Sequence, residues 1–366
     1  TSTRSNRDHS ATRPHWGRAD DRGQNRIPMS LLRDRLDDLP GPDVAARTSV
    51  AARAASVLRP PGALAWLDDV AVWKAGWERS ARPSVERPAA IVFAGDHGVA
   101  AATNVSAFPA EVTAEILASA QRGMATINAF ARVAGASVTA IDVGVGRPTG
   151  DIRVEAAASP ERFDEICEIA FAAVEAADTD LLVFGEMGIG NTTPSAAVAA
   201  ALGGGEAAMW VGRGTGVDDE GLDRKREAVQ AAVRRIAGVV DPLEILREVG
   251  GSELIAMAAG IVAARHRSIP VILDGYVVTA AAFPLHATAP GSLDHCIVGH
   301  CSAEPGHRIL LEKMDKKGLL ELDMRLGEGS GAMAAVPLVS MACAGVTQVA
   351  TFDEWGALRA ADGDAR

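Results

Sequence analysis

Residues 90–98 read AIVFAGDHG, a continuous apolar run that stops at a glycine followed by an acid and a histidine. Runs this short, apolar at every position and closed by glycine, are typical of buried parallel strands. The same form recurs at 137–143, 180–184, 208–211, 269–273 and 295–298. We predict strands at the first five of these six sites, with 208–211 the weakest of them, and take the last as a sixth candidate.

Helical stretches separate these runs, at 110–134, 160–178, 193–202, 219–238, 252–266 and 276–287. Strands that alternate with helices predict an α/β fold, with a parallel Rossmann-like sheet and helices on both faces. Residues 1–26 hold six arginines and almost nothing apolar, so they are expected to be disordered. We predict three units: this N-terminal extension over 1–26, a small helical domain from 27–85 and 331–366, and an α/β catalytic domain over 86–330.

Composition excludes several classes of protein. Among 366 residues, 48% are apolar and 23% charged, as in ordinary globular proteins, and the net charge of −11 argues against a nucleic-acid partner. The four cysteines show no CxxC spacing and the histidines no metal-ligand spacing, so we predict reduced thiols, no metal and no cofactor. The apolar stretch 331–349 is interrupted by Pro337 and Gly345 and reads as a buried helix. The protein is expected to be cytoplasmic, with no membrane partner.

The ends of the predicted strands indicate where function lies. Nearly every strand is followed by glycine and a polar or charged residue. The carboxyl ends of parallel strands meet at one edge of the sheet, where open α/β folds bind their ligands. Glycines after strands also make ordinary turns, but five or six converging on one edge favour a site there.

The segment 185–194, GEMGIGNTTP, is the most informative of these strand ends. Its glycines allow backbone N–H groups to face inward, and the following helix adds a positive dipole, so it can bind an anion such as a substrate phosphate. A tight turn closed by a threonine cap is the alternative. Neither the GxxxxGK[ST] loop nor the GxGxxG dinucleotide fingerprint occurs in the chain, which argues against a dehydrogenase.

A second glycine-rich strand exit, GRGTG at 212–216, is followed by Lys225. That lysine is one of only five in the chain, although its charged neighbours also fit a helix face exposed to solvent. The residues on their own leave both interpretations of Lys225 open.

The segment 326–331, LGEGSG, places Glu328 between glycines directly before an apolar helix. Desolvation there would raise the pKa of the carboxyl and suit it to act as a general base near neutral pH. A glutamate that merely stabilises a helix start is the alternative. Asp96, Glu186 and Glu304 are the competing carboxylates, but the sequence places none of them in such an apolar setting.

Six segments occur in a distinctive order: GDHG at 95–98, FPAEVT at 108–113, GEMGIGNTT at 185–193, LDG at 273–275, SAE at 302–304 and LGEGSG at 326–331. Together they resemble the nicotinate-nucleotide–dimethylbenzimidazole phosphoribosyltransferase family, which acts in assembly of the cobalamin nucleotide loop. The resemblance runs from about residue 31 to residue 349.

This resemblance implies a reaction and a set of roles. Nicotinate mononucleotide and 5,6-dimethylbenzimidazole would give α-ribazole 5′-phosphate and nicotinate, with Glu328 as the general base. Phosphate and ribose would be bound by Glu186, Gly188, Gly190, Asn191, Gly214, Thr215, Gly216, Lys225, Asp274 and Gly275. The flat apolar slot for the base would be formed by Phe108, Val112 and Leu326. The family also implies a homodimer.

Two alternatives to this reaction stay open. Many relatives have Gln where this chain has Glu115, so the base could be another lower ligand such as adenine, a different benzimidazole or a phenol. A non-catalytic nucleotide-binding homologue on the same fold is the second alternative, although the presence of Glu328 argues against it.

Overall fold

The computed structural model describes residues 29–356, apart from the side chain of Ser30. Six parallel strands form one sheet in the order β2-β1-β3-β4-β5-β6. Their bounds are β1 Pro88–Gly95, β2 Ser137–Gly144, β3 Leu181–Met187, β4 Val271–Leu273, β5 Cys296–His300 and β6 Gly318–Leu320. The predicted extension over 1–26 and the chain after residue 356 lie outside the described residues.

The order of the strands creates one switch point, between β1 and β3. The chain adds β2 on one side of β1 and then returns to add β3 and the later strands on the other side. Ala94 pairs with Met187 across this boundary, and Leu273 pairs with Val298 further along the sheet. The carboxyl ends of four strands therefore lie side by side, which is where ligands bind in such sheets.

Fifteen helices connect and cover these strands within residues 29–356. Before the sheet come α1 Ser30–Leu36, α2 Val44–Ala54 and α3 Trp66–Glu78. The connections hold α4 Gly98–Thr103, α5 Val112–Gln121, α6 Thr126–Ala134, α7 Pro160–Ala176, α8 Thr192–Gly203, α9 Ala207–Trp210, α10 Asp219–Arg235, α11 Pro242–Val249, α12 Ser252–His266, α13 Tyr276–Thr288 and α14 Pro305–Lys313. After β6 comes α15 Ser330–Thr347.

Alternate side chains of each strand enter two separate apolar cores, one on each face of the sheet. Phe93 and Phe184 stack in the first core, at 6.2 Å between ring centroids, together with α7, α8, α12 and α13. Val183 and Ile272 lie in the second core, with α2, α3, α6 and α15. The predicted α/β class, with a parallel sheet covered on both faces, is confirmed.

Helix α15 is part of the second core. Ala332, Met333 and Val336 are buried in the same cluster as Val183 and Ile272. Within residues 29–356 it is the one helix whose length and hydropathy would suit a membrane crossing, and more than half of it is buried inside the protein. The division into a helical domain from 27–85 and 331–366 and a catalytic domain over 86–330 stays a prediction.

Several sequence predictions were wrong in detail. The stretch 208–211 is not a strand, because 207–210 forms the helical turn α9 and the Trp210 indole donates to the carbonyl of Gly204. The sheet gains β6 instead, which was not predicted, and neither were α11 and α14. The predicted helix over 110–134 is two helices, separated at Gly123, whose φ is +77°. The four cysteines are free, as predicted, and all are buried.

Candidate active site

A cavity of about 320 Å³ lies at the carboxyl ends of β3, β4 and β5. Its lining includes eleven of the predicted site residues: Phe108, Val112, Glu186, Gly188, Asn191, Gly214, Thr215, Asp274, Gly275, Leu326 and Glu328. Segments far apart in sequence therefore converge at the edge of the sheet that the glycine pattern indicated.

Three predicted residues lie outside the lining. Gly190 packs against Ala100, and Gly216 lines an adjacent cavity. Lys225 is 1% exposed and lies behind the wall, where its ammonium donates to Thr192 Oγ1 at 2.7 Å. Burial lowers the pKa of Lys225 to about 8, while the nearby Glu304 acts to raise it. Thr192, the residue that accepts this hydrogen bond, does line the cavity.

The loop that carries Glu328 has an unusual backbone. Gly327, Glu328 and Gly329 all have positive φ, at +87°, +64° and +85°. A non-glycine residue in this region costs on the order of 1–3 kcal/mol and is found where the surroundings hold it in place. Here a methyl group at Gly185 would overlap the carbonyl of Glu328, and the Glu328 N–H donates to Glu186 O at 3.2 Å. The loop is thus packed directly against the end of β3.

The carboxylate of Glu328 lines the cavity and is hydrogen-bonded to the backbone of α6. Its Oε2 accepts the Ile127 N–H at 3.2 Å, at the start of α6. Burial raises its pKa, and the nearby Asp274 adds to this, while the hydrogen bond from Ile127 opposes it. The cavity wall around it includes the apolar Phe108, Ile116 and Leu326.

Glu186 corrects one expectation. Its setting was predicted to be less apolar than that of Glu328, but Glu186 is 7% exposed at the end of β3. Burial raises its pKa well above the usual range, whereas the Asn191 amide, which donates to Glu186 Oε2, acts to lower it. The burial of Glu186 could not be predicted from its position in the sequence, because polar residues at strand ends are ordinarily solvated.

The predicted anion loop follows β3 and leads into α8. The N-cap position of α8 is Asn191 and carries no side-chain cap, so the threonine cap considered from sequence is not formed. The Ile189 N–H donates to Thr113 Oγ1 at 3.2 Å, and Gly190 has φ +85°. The loop therefore sits at a helix N-terminus with its backbone held by α5 and by β3, as an anion site requires.

The lining also contains residues that sequence reasoning did not assign to the site. His300 is the last residue of β5, Ser302 and Glu304 follow the strand, and Glu304 Oε1 accepts the Gly214 N–H at 2.9 Å. His300 Nε2 lies 3.4 Å from Asp274 Oδ1. The signal was present, because His300 follows a strand-end glycine and SAE at 302–304 is one of the six ordered segments. Glu115, by contrast, is exposed on α5 and does not line the cavity.

The α/β fold and the cavity at the carboxyl edge of its sheet have the form of an enzyme that binds a small molecule. A family model described as "Phosphoribosyltransferase" matches residues 39–356. The chain belongs to this phosphoribosyltransferase family, and the predicted resemblance is confirmed.

Individual relatives agree with this membership. A Ruegeria pomeroyi protein named nicotinate-nucleotide–dimethylbenzimidazole phosphoribosyltransferase is 49% identical, over 90% of this chain and 97% of its own. A Methylorubrum extorquens protein of the same name is 46% identical, over 88% and 94%. The crystal structure of CobT from Thermus thermophilus is similar with a TM-score of 0.81 and 40% identity, over 85% of this chain and 98% of that one.

Proposed function

We propose that this protein transfers the phosphoribosyl group of nicotinate mononucleotide to 5,6-dimethylbenzimidazole, forming α-ribazole 5′-phosphate and nicotinate in the assembly of the cobalamin nucleotide loop. The observation that carries the proposal is one cavity that joins the anion loop after β3 to an apolar wall around Glu328. The names of the similar proteins support the same pair of substrates.

The donor takes the polar part of the cavity. Its phosphate is bound by backbone N–H groups at the N-terminus of α8, among them that of Gly188, and by that of Thr215, since the N–H groups of Ile189 and Gly214 already donate to Thr113 and Glu304. Lys225 supplies positive charge from behind Thr192, to which its ammonium donates at 2.7 Å. The ribose lies beside Glu186 and Asp274, whose carboxyl oxygens can accept from its hydroxyl groups.

The acceptor takes the apolar part, between Phe108, Val112 and Leu326. The bare nitrogen of the benzimidazole attacks C1′ of the ribose as the bond from C1′ to the nicotinate nitrogen breaks. That bond's electron pair stays with nicotinate, whose ring nitrogen loses its positive charge. The proton on the other benzimidazole nitrogen passes to Glu328, so the riboside leaves without an added charge. Attack opposite the leaving group inverts C1′ and gives the α-product.

Product identification tests this function. The purified protein is incubated with nicotinate mononucleotide and, separately, with 5,6-dimethylbenzimidazole, benzimidazole, adenine or a phenol, and the products are identified by mass spectrometry and NMR. We expect α-ribazole phosphate and stoichiometric nicotinate, with 5,6-dimethylbenzimidazole as the best acceptor. A preference for adenine or a phenol would replace the acceptor, and donor binding without turnover on any base would favour a non-catalytic homologue.

We also propose a cytoplasmic homodimer. The four free, buried cysteines support a reducing compartment. Met124, Phe130 and Val133 are exposed on and beside α6, and such apolar side chains support an interface between copies. Sedimentation equilibrium of the wild type and of Val133→Glu checks the dimer: a wild-type monomer would contradict it.

A further inference from the structure

A buried histidine–glutamate pair lies next to the anion loop. His97 follows β1 and Glu253 lies in the first turn of α12, and the two side chains are 1% and 0% exposed. His97 Nε2 and Glu253 Oε1 are 2.7 Å apart. Within residues 29–356, His97 Nδ1 and Glu253 Oε2 have no hydrogen-bond partner, so each side chain depends on the other.

Backbone encloses this pair at three glycines, and one of them belongs to the anion loop. A methyl group at Gly188 would lie 2.9 Å from His97 Nε2 and 3.0 Å from Glu253 Oε1. Methyl groups at Gly95 and Gly251 would lie 3.1 Å and 3.0 Å from Glu253 Oε2. The segment proposed to hold the donor phosphate therefore rests directly on the hydrogen bond between His97 and Glu253.

The buried charge of Glu253 is unfavourable for an anion bound above it, and His97 lies where it can compensate that charge. A carboxylate buried beneath an anion site repels the anion, and it is costly unless a partner compensates its charge. The influence of Glu253 reaches the cavity, since it is among the causes that raise the pKa of Glu186. His97 is the side chain hydrogen-bonded to Glu253 there.

We propose that His97 is a positioning residue for donor binding, which compensates the buried carboxylate of Glu253 beneath Gly188 and so permits an anion above it. The pair touches neither substrate and acts through the loop. This inference rests on the proposed donor, nicotinate mononucleotide, and it assigns a role to the GDHG segment that the reaction itself does not use.

The test uses three variants of the full chain and measures the dissociation constant for nicotinate mononucleotide by calorimetry. His97→Gln removes the imidazole that compensates the carboxylate, although its amide can still donate to Glu253, and we expect donor affinity to fall by about tenfold or more, as for an uncompensated buried charge close to an anion. Glu253→Gln removes the carboxylate, so donor affinity should equal or exceed that of the wild type. The double variant should recover donor affinity to within about twofold of the wild type. The affinity for the base should change in none of them.

These outcomes separate a charge effect from mere packing. If the two side chains act only by packing, the double variant does not recover and binds the donor at least as weakly as His97→Gln, and the proposal is overturned. If His97→Gln does not fold, Glu253→Gln alone still tests the proposal, which is overturned if this variant binds the donor more weakly than the wild type. His295→Gln is the matched control, because this buried histidine precedes β5 at the opposite edge of the sheet, and its donor affinity should stay unchanged. A wild type that fails to bind nicotinate mononucleotide would refute the proposed function rather than this inference.

Discussion

Replacement of Glu328 by glutamine tests the proton acceptor on which the mechanism depends. The amide oxygen of glutamine can still accept the Ile127 N–H, which Glu328 Oε2 accepts at 3.2 Å. The flanking Gly327 and Gly329 keep the positive φ of the loop, so the shape of the cavity should persist. The variant thus removes the acceptor of the proton and little else.

The expected loss follows from the chemistry of that one group. General base catalysis typically contributes about 10²–10⁴-fold, so kcat should fall by that factor, which corresponds to about 3–5 kcal/mol of transition-state stabilisation. Because burial raises the pKa of Glu328, the wild type should lose activity as the pH falls through a value above 4.5, where the carboxylate takes up a proton. Glu328→Gln should lack this acidic limb.

The assay is steady-state turnover with saturating donor across the pH range, together with a direct measurement of donor affinity. Glu115→Gln is the control, since it makes the same chemical change on α5 at an exposed position outside the cavity, and its kcat should match the wild type. The reasoning is refuted if Glu328→Gln keeps most of its activity, or if it fails only in binding nicotinate mononucleotide. In either case Glu186 becomes the candidate base.

Three further predictions concern the surroundings of the site. Because burial lowers the pKa of Lys225 to about 8, the affinity for the donor should decline as the pH rises through that value. Calorimetry should show that Lys225→Met binds the donor more weakly than the wild type below about pH 8, and that its affinity does not decline with pH. Glu186 has a raised pKa in the folded state, so the free energy of unfolding should fall as the pH rises from about 4.5 upwards. Glutamine cannot ionise, so urea unfolding should show Glu186→Gln to be more stable than the wild type at about pH 8 and equally stable near pH 4. Gly185→Ala forces the Glu328 loop off β3 and should cost about 1–3 kcal/mol of stability and most of kcat. Gly345→Ala, whose methyl group would meet only the ends of the Leu64 and Arg59 side chains, at 3.3 Å and 3.6 Å, should do neither.

The sheet was predictable because its central strands are buried on both faces. Residues 88–95 and 181–187 are buried at every position, so their sequences, apart from Glu186, are continuous apolar runs that no exposed strand would have. The edge strand β6 is three residues long and only half-buried, and it therefore carries no such run. The stretch 208–211 shows the converse error, since four apolar residues fit a helical turn as well as a strand.

The site was predictable where it depends on residue types that can be recognised locally in the sequence. Glycines at 188, 214 and 327 allow backbone to approach a ligand or a neighbouring strand, and they identified the right edge of the sheet. The burial of Glu186 and the pairing of His97 with Glu253 arise only from packing between distant elements. Glu253 lies 156 residues from His97, and no periodicity or spacing connects two such positions.

The seating of the Glu328 loop at the start of α15 has a consequence for biosynthesis. The ribosome completes all six strands by residue 320, yet the second face of the sheet, where α2, α3 and α6 already pack, stays only partly covered until α15 has emerged some seconds later, at about 5–20 residues per second. The helix that brings Glu328 against Gly185 is also the one that closes the core over Val183 and Ile272. A nascent or truncated chain that ends before α15 would therefore expose an apolar face for chaperones and proteases to recognise, and it would at the same time be inactive. Proteolytic quality control and catalytic competence are in this way tied to the same helix.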